Sequence, residues 1–322
     1  MEYLSDIFNI GLFQNTLRTA TPVVLAAMGG LMTEHAGIMN IGMDGMILIG
    51  AFVAVAFSFT MSSAAMGVLA AVLCGILIGL FFALFVVKLK SDEFIIGMAL
   101  NTFAGGLTVY LLRSIFGVQG TFSDGGIQPL PSVHLDFLDS IPVIGPLLND
   151  NSIFIYITWL IVFLAWVFLY RTPYGFWMRA AGEHPQSLAT AGIDPQKMKF
   201  TASILCGILC GILCGFAGAH LSLGYLTMFT EGMSGSRGFI AFACVIFGMA
   251  NPPKVFLAAL LFGFLDALGL RLQGAGIPSD LTSTIPYLTT VLMLVYVVVT
   301  GNRKKKKRAA RQVDMSVSLN KI

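Results

Sequence analysis

Residues Ala64–Val87 read AAMGVLAAVLCGILIGLFFALFVV, 24 consecutive positions without one charged, amide or hydroxyl side chain. As an α-helix this stretch would extend about 36 Å, more than the roughly 30 Å hydrocarbon core of a bilayer. It lacks the polar/apolar alternation of a membrane barrel strand, so it reads as a transmembrane helix. Similar blocks recur along the chain, giving nine candidate spans: Gly11 to Met32, Gly45 to Met61, Ala64 to Val87, Phe94 to Phe116, Ser152 to Tyr170, Phe200 to Leu223, Gly238 to Met249, Lys254 to Leu272 and Thr284 to Thr300. The expected fold is all-α, a polytopic transmembrane helical bundle of about 8–10 spans in which some helices are short or broken.

Composition agrees. Of 322 residues 57% are hydrophobic and 11% charged, too little polar surface to close as a soluble globule. The opening MEYLSDIFNI has two acidic groups and no Lys or Arg, unlike the basic start of a cleavable signal, so the mature chain is expected to begin near Met1. The net charge is only +3, but its placement is informative. Lys88, Lys90, Arg171, Arg179, Lys197, Lys199, Lys254 and the tail Arg303 to Arg311 mark segments expected to face the cytoplasm. Residues 117–151 carry Asp124, Asp136, Asp139 and Asp150 but no Lys or Arg, with Pro129, Pro131, Pro142 and Pro146 to interrupt any long helix, and read as the main external loop. Residues 1–302 thus form a membrane domain with a cytoplasmic loop at 171–199, and 303–322 a basic cytoplasmic tail near anionic headgroups. Four segments separate the 171–199 loop from that tail, so both fit one side. Five upstream segments put the N-terminus outside unless Thr33 to Gly50 is re-entrant.

Three polar interruptions could carry function. Asn40 and Asp44 lie four apart in GIMNIGMDG, residues 37–45, and would share a face on a helix. An ionisable group at membrane depth costs on the order of 3 kcal/mol and should face protein or a watery cavity. Substrate contact and helix pairing both satisfy that, as does a cap on the helix from Gly45 to Phe57. Asn101 and Thr102 sit beside Gly105 and Gly106 in an apolar span, available for interhelical hydrogen bonds or substrate contact. Glu231 and Arg237 lie in a glycine-rich break before a short apolar segment, a pattern that lines pathways in transporters with discontinuous helices. Asp266 and Arg271 are five apart, on different helix faces, and each is expected to pair with another helix.

Other chemistries find less support. Cys206, Cys210 and Cys214 form a thiol stripe, but Gly207, Gly211 and Gly215 run beside it, and close helix packing accounts for the pattern better than soft-metal binding. His35, His134, His184 and His220 are scattered and form no catalytic zinc signature, and no acid, base and metal cluster suggests an enzyme. The phosphate-loop pattern G-x-x-x-x-G-K-[ST] is absent, so any ATP-driven activity requires a separate hydrolysing subunit.

The segment RTPYGFWMRAAGEHPQSLATAGIDPQKMKF, residues 171–200, resembles the cytoplasmic loop of ABC importer permeases of the branched-chain amino acid, ribose and nucleoside family, through Gly175, Arg179, Ala180, Gly182, Glu183, Pro185, Ala189, Ala191, Gly192 and Ile193. GIMNIGMDGM at 37–46, IPVIGP at 141–146, GSRGFIAFACVIFGMANP and LLFGFLDALGLRLQ extend the resemblance over nearly the whole chain. The first of these and Gly235–Ala241 look most like the nucleoside, guanosine-type branch, which usually has Glu where this chain has Asp44. The resemblance implies that Arg179, Gly182, Glu183, Pro185, Ala189 and Gly192 belong to a short helix docking on an ATP-binding subunit. It also implies a second permease subunit, identical or paralogous, and an external solute-binding protein in a bacterial-type plasma membrane. ATP and Mg would then reside on the partner ATPase, with no cofactor on this chain and no nucleic acid as partner. The substrate would be a nucleoside, or alternatively ribose or another simple sugar. A self-sufficient ion-coupled secondary transporter stays open through Asp44 and Asp266, although it would have no use for a docking helix.

Overall fold

In the computed structural model, the described residues are 9–134, 145, 148–274, 284, 288–290 and 295. The ninth candidate span, the stretch 141–146 and the basic tail lie largely or wholly outside them. The helices are α1 (Ile10–His35), α2 (Met43–Met61), α3 (Ala64–Val87), α4 (Glu93–Phe116), α5 (Ile153–Arg171), α6 (Pro173–Glu183), α7 (Pro185–Thr190), α8 (Pro195–Ala219), α9 (Arg237–Phe247) and α10 (Pro252–Gly274). Among the described residues, six helices are long and apolar enough to cross a membrane: α2, α3, α4, α5, α10, and α8 with its extension to Tyr225. The chain is a polytopic helical bundle.

Helix α1 is not among those six because its composition is less apolar, which its surroundings allow. It carries Arg18, Thr19, Thr21, Pro22 and Thr33, and every residue from Thr19 to Thr33 is buried. A helix buried all round occupies the middle of a bundle, and α1 packs there against α8, α9 and α10. Its hydroxyls are satisfied locally: Thr16 donates to Leu12 O and Thr21 to Leu17 O, whereas Thr19 also reaches Gly263 O on α10 at 2.9 Å.

Helix α3 packs along a glycine seam. Gly67, Ala71, Gly75, Gly79, Phe82 and Ala83 form the buried face of α3, while Leu69, Leu73 and Leu77 point outward. A Cβ added at Gly75 would lie 2.1 Å from Gly211 O, and one at Gly79 would lie 2.1 Å from Gly207 O. The expected small-residue packing of α8 is therefore met, with α3 as its partner.

Two short antiparallel pairings gather the connections at one end of the bundle. β1 (Thr121–Phe122) pairs with β4 (Phe229–Thr230), and β2 (Ser132–Val133) with β3 (Asn151–Ser152). Arg18 near the start of α1 donates to Asn151 Oδ1 at 3.2 Å, which places that end of α1 on the same face as the 117–134 segment. The other end of α1 meets α6 at the opposite face, where Lys90 and Lys199 line one groove with Gly37.

Two elements depart from ordinary spans. Residues 36–42 turn back from the end of α1 into the protein, and α9 has 11 residues, about 16 Å, against the expected crossing from Gly238 to Met249. Between α8 and α9 the chain passes through a π-helical turn, His220–Tyr225, and the irregular stretch 226–236.

Candidate functional site

The two departures meet in the bundle interior. Asn40 Nδ2 lies 3.2 Å from Cys210 Sγ, and Cys210 is the central residue of the 31-residue span Pro195–Tyr225. Residues 36–42 thus carry the start of α2 to about mid-depth. Helix α9 starts at the same level: a Cβ on Gly238 would lie 2.1 Å from Asp44 N and 2.3 Å from Asp44 Cα. The N-termini of α2 and α9 abut and run away from each other toward opposite faces.

Such a junction presents an electrostatic problem, because each helix N-terminus bears unpaired N–H groups and about half a positive charge. Asp44 resolves it. Its carboxylate accepts from Gly238 N at 3.0 Å and from Ser234 Oγ at 2.9 Å, capping α9 from another helix. The α2 terminus is closed by Asn101 on α4, whose Oδ1 accepts from Gly45 N at 2.8 Å while its Nδ2 donates to Ile41 O at 3.0 Å. Arg237, beside Gly238, pairs with Asp266 on α10 at 3.2 Å and donates to Met233 O and Ser234 O. Two half-charges against Asp44, and Arg237 against Asp266, leave the junction close to neutral.

The expectation that Asn40 and Asp44 share a helix face is corrected. Helix α2 begins at Met43, and Asn40 lies in the preceding loop, where its Oδ1 accepts from Gly42 N at 3.0 Å in an Asx-type turn. Nor does Asp44 cap its own helix; its bonds go to Ser234, just before α9, and to Gly238 in the first turn of α9. Asn40, Asp44, Asn101 and Arg237 are brought together. Glu231 is not: it accepts from Gly120 N at 3.0 Å beside the β1–β4 pair, toward one face. Thr102 donates to Met98 O of its own helix and is exposed. Ser234 escaped the sequence reading because its partner lies 190 positions away. The expected interhelical partner for Asp266 is found in Arg237.

On the basic face, α6 and α7 form the predicted short elements. Pro185 opens α7, and Gly192 follows it with φ +77°, its N–H bonded to Ala189 O at 3.1 Å. Arg179 stacks over the Tyr170 ring at 4.5 Å and the Phe176 ring at 5.9 Å. Gly182 presses on the α1 terminus, where a Cβ would lie 2.4 Å from His35 O. Glu183 is exposed, 4.0 Å from His35 Nδ1.

Abutting half-helix ends inside a bundle are a transporter feature, and residues 12–299 match the family described as branched-chain amino acid transport system / permease component. The chain belongs to this permease family. It is 32% identical over 290 residues to the guanosine ABC transporter permease protein NupQ of Bacillus subtilis, covering 87% of this chain and 89% of that protein. The nucleoside ABC transporter permease protein NupC of Lactococcus lactis is 32% identical over 291 residues, covering 87% and 90%. TsgC13 of Haloferax volcanii, provisionally named a glucose ABC transporter permease protein, is 32% identical over 310 residues, covering 89% and 91%. No solved structure matches the chain.

Proposed function

We propose that this permease imports nucleosides through an ATP-driven complex, by alternating access about the mid-depth junction. The observation that carries the substrate class is the likeness, across some nine-tenths of each chain, to guanosine and nucleoside permeases. An equally similar relative provisionally assigned to glucose supports a second reading, import of a simple sugar such as ribose. The ribosyl ring common to nucleosides and ribose lets one competition experiment separate the two. Uptake of labelled guanosine displaced by other nucleosides but not by ribose or glucose supports the first reading; the reverse pattern supports the second.

The junction suits alternating access because its bonds cross between elements. Asp44 joins α2 to the approach to α9, Asn101 joins α4 to α2, and Arg237 joins α9 to α10. Relative movement of α2 and α9 exchanges these bonds for bonds to a polar solute, a replacement that leaves no buried charge unpaired. Asn40, Asp44, Asn101 and Arg237 are the residues of this step. Thr102 and Glu231 belong to the outer parts of the pathway, Thr102 on the exposed side of α4 and Glu231 at the entrance.

On this reading the basic face is cytoplasmic and α6–α7 dock on the ATP-binding subunit, which holds ATP and Mg. Arg179, Gly182, Glu183, Pro185, Ala189 and Gly192 shape that contact. The membrane domain is 1–302, the 117–151 segment faces the external solute-binding protein, and the basic tail 303–322 is cytoplasmic. A second permease subunit, identical or paralogous, completes the complex. Reversal of charge at Glu183 that leaves coupled uptake unchanged would remove the docking assignment.

A further inference from the structure

Resting on that reading of α6–α7 as the docking element, we propose that His35 is the positioning residue that couples α6–α7 to both half-helices of the junction. His35 ends α1 and is buried, although both ring nitrogens face other elements. Nε2 lies 2.8 Å from Ala250 O, and because a carbonyl only accepts, Nε2 carries the proton and donates. Ala250 closes α9: its N–H bonds to Val245 O at 3.0 Å, and both Met249 and Ala250 have positive φ, at 51° and 50°. Two consecutive non-glycine residues in that conformation persist only where their surroundings hold them, and the His35 bond is one such hold.

The same residue meets the other half-helix through its backbone. Gly37, two positions on, takes φ +79° and begins the run of 36–42 toward α2. Gly182 at the end of α6 lies in the angle between them, where a Cβ would come within 2.4 Å of His35 O and 3.1 Å of Gly37 N. Glu183 Oε1 approaches Nδ1 at 4.0 Å. A displacement of α6 thus reaches residues 36–44 by contact with the His35 and Gly37 backbone, and reaches α9 through the imidazole. Both routes end at Asp44 and Gly238, so a push on one face moves both sides of the junction together.

The test uses the complete complex in liposomes, with the wild-type chain, His35→Ala and His35→Gln; Gln retains a side-chain N–H for Ala250 O. Uptake per ATP hydrolysed is read together with hydrogen exchange of the permease amides. His35→Ala is expected to keep the complex assembled and hydrolysing ATP while uptake per ATP falls about tenfold, within the range of coupling factors between linked sites. Faster exchange is expected both at 36–44 and at 245–251, and His35→Gln recovers both readouts in large part. Unchanged stoichiometry in His35→Ala, exchange loosened at 245–251 alone, or no recovery in His35→Gln overturns the proposal. A wild-type complex without ATP-dependent uptake refutes the importer reading instead, and the exchange pattern then decides the role of His35 by itself.

Discussion

Replacing Asp44 by Ala removes the cap that holds α9 against α2. Its carboxylate accepts one backbone N–H and one hydroxyl, and both donors are left inside the bundle. An orphaned buried donor costs about 1–3 kcal/mol, and the lost charge at a helix N-terminus roughly 0.3–1 more. Since Ser234 can turn its hydroxyl elsewhere, the sum is about 1–4 kcal/mol. Asp44→Asn keeps an acceptor oxygen for Gly238 N and loses mainly the charge, so its cost is about 1–2 kcal/mol. Ser234→Ala removes one charge-assisted bond, about 1–2 kcal/mol, and in a double-mutant cycle with Asp44→Ala the two changes should be non-additive by about 1 kcal/mol. Reversible unfolding in mixed micelles measures all four variants. Asp44→Ala within about 0.5 kcal/mol of wild type, the scatter expected of an uninvolved surface site, would refute the capping argument. So would strict additivity with Ser234→Ala.

Further outcomes follow from the same contacts. Gly75→Leu or Gly211→Leu should abolish the folded yield, because even a Cβ would meet the opposing carbonyl at 2.1 and 2.0 Å; normal yield in detergent would show that the seam is loose. Asn101→Ala should cost about 1–3 kcal/mol by stranding Gly45 N and Ile41 O, whereas Thr102→Ala should stay within about 0.5 kcal/mol, and the same unfolding assay compares them. Arg237→Ala leaves Asp266 unpaired, yet Asp266 is a third exposed, so solvent offsets part of the penalty and the loss should be about 1–2 kcal/mol; the double change Arg237→Ala, Asp266→Ala should regain part of it. Glu183→Lys should lower uptake per ATP without impairing membrane insertion, as read by transport stoichiometry and surface labelling.

The parts of the fold written as local pattern were legible in the sequence. Ala64–Val87 declares a span by its own composition, and the glycine and cysteine stripe of 206–215 declares a close helix contact by its spacing. The choice of α3 as partner was not written there, because Gly75 and Gly211 meet only after folding. Asp44 was recognisable as costly at membrane depth, but its bonds reach residues 190 and 194 positions away, and no short-range pattern encodes them. Periodicity placed Asn40 and Asp44 on one helix; Gly37 and the Asx-type turn at Asn40 instead delay the helix to Met43. Helix α1 illustrates the converse. Its threonines weaken the membrane signal, yet from Thr19 to Thr33 the helix is enclosed by protein and needs no lipid-compatible surface. His35 looked like an isolated histidine, and only the return of Gly182 and Ala250 to the same place gives it partners.

ATP-driven import by a complex containing this permease can be tested by uptake of labelled guanosine in cells with and without this chain, its ATP-binding partner present, before and after the ion gradients are collapsed. The expected result is uptake that depends on the chain and on ATP and survives collapse of the gradients. Uptake that disappears with the gradients while ATP remains would contradict it and identify an ion-coupled transporter.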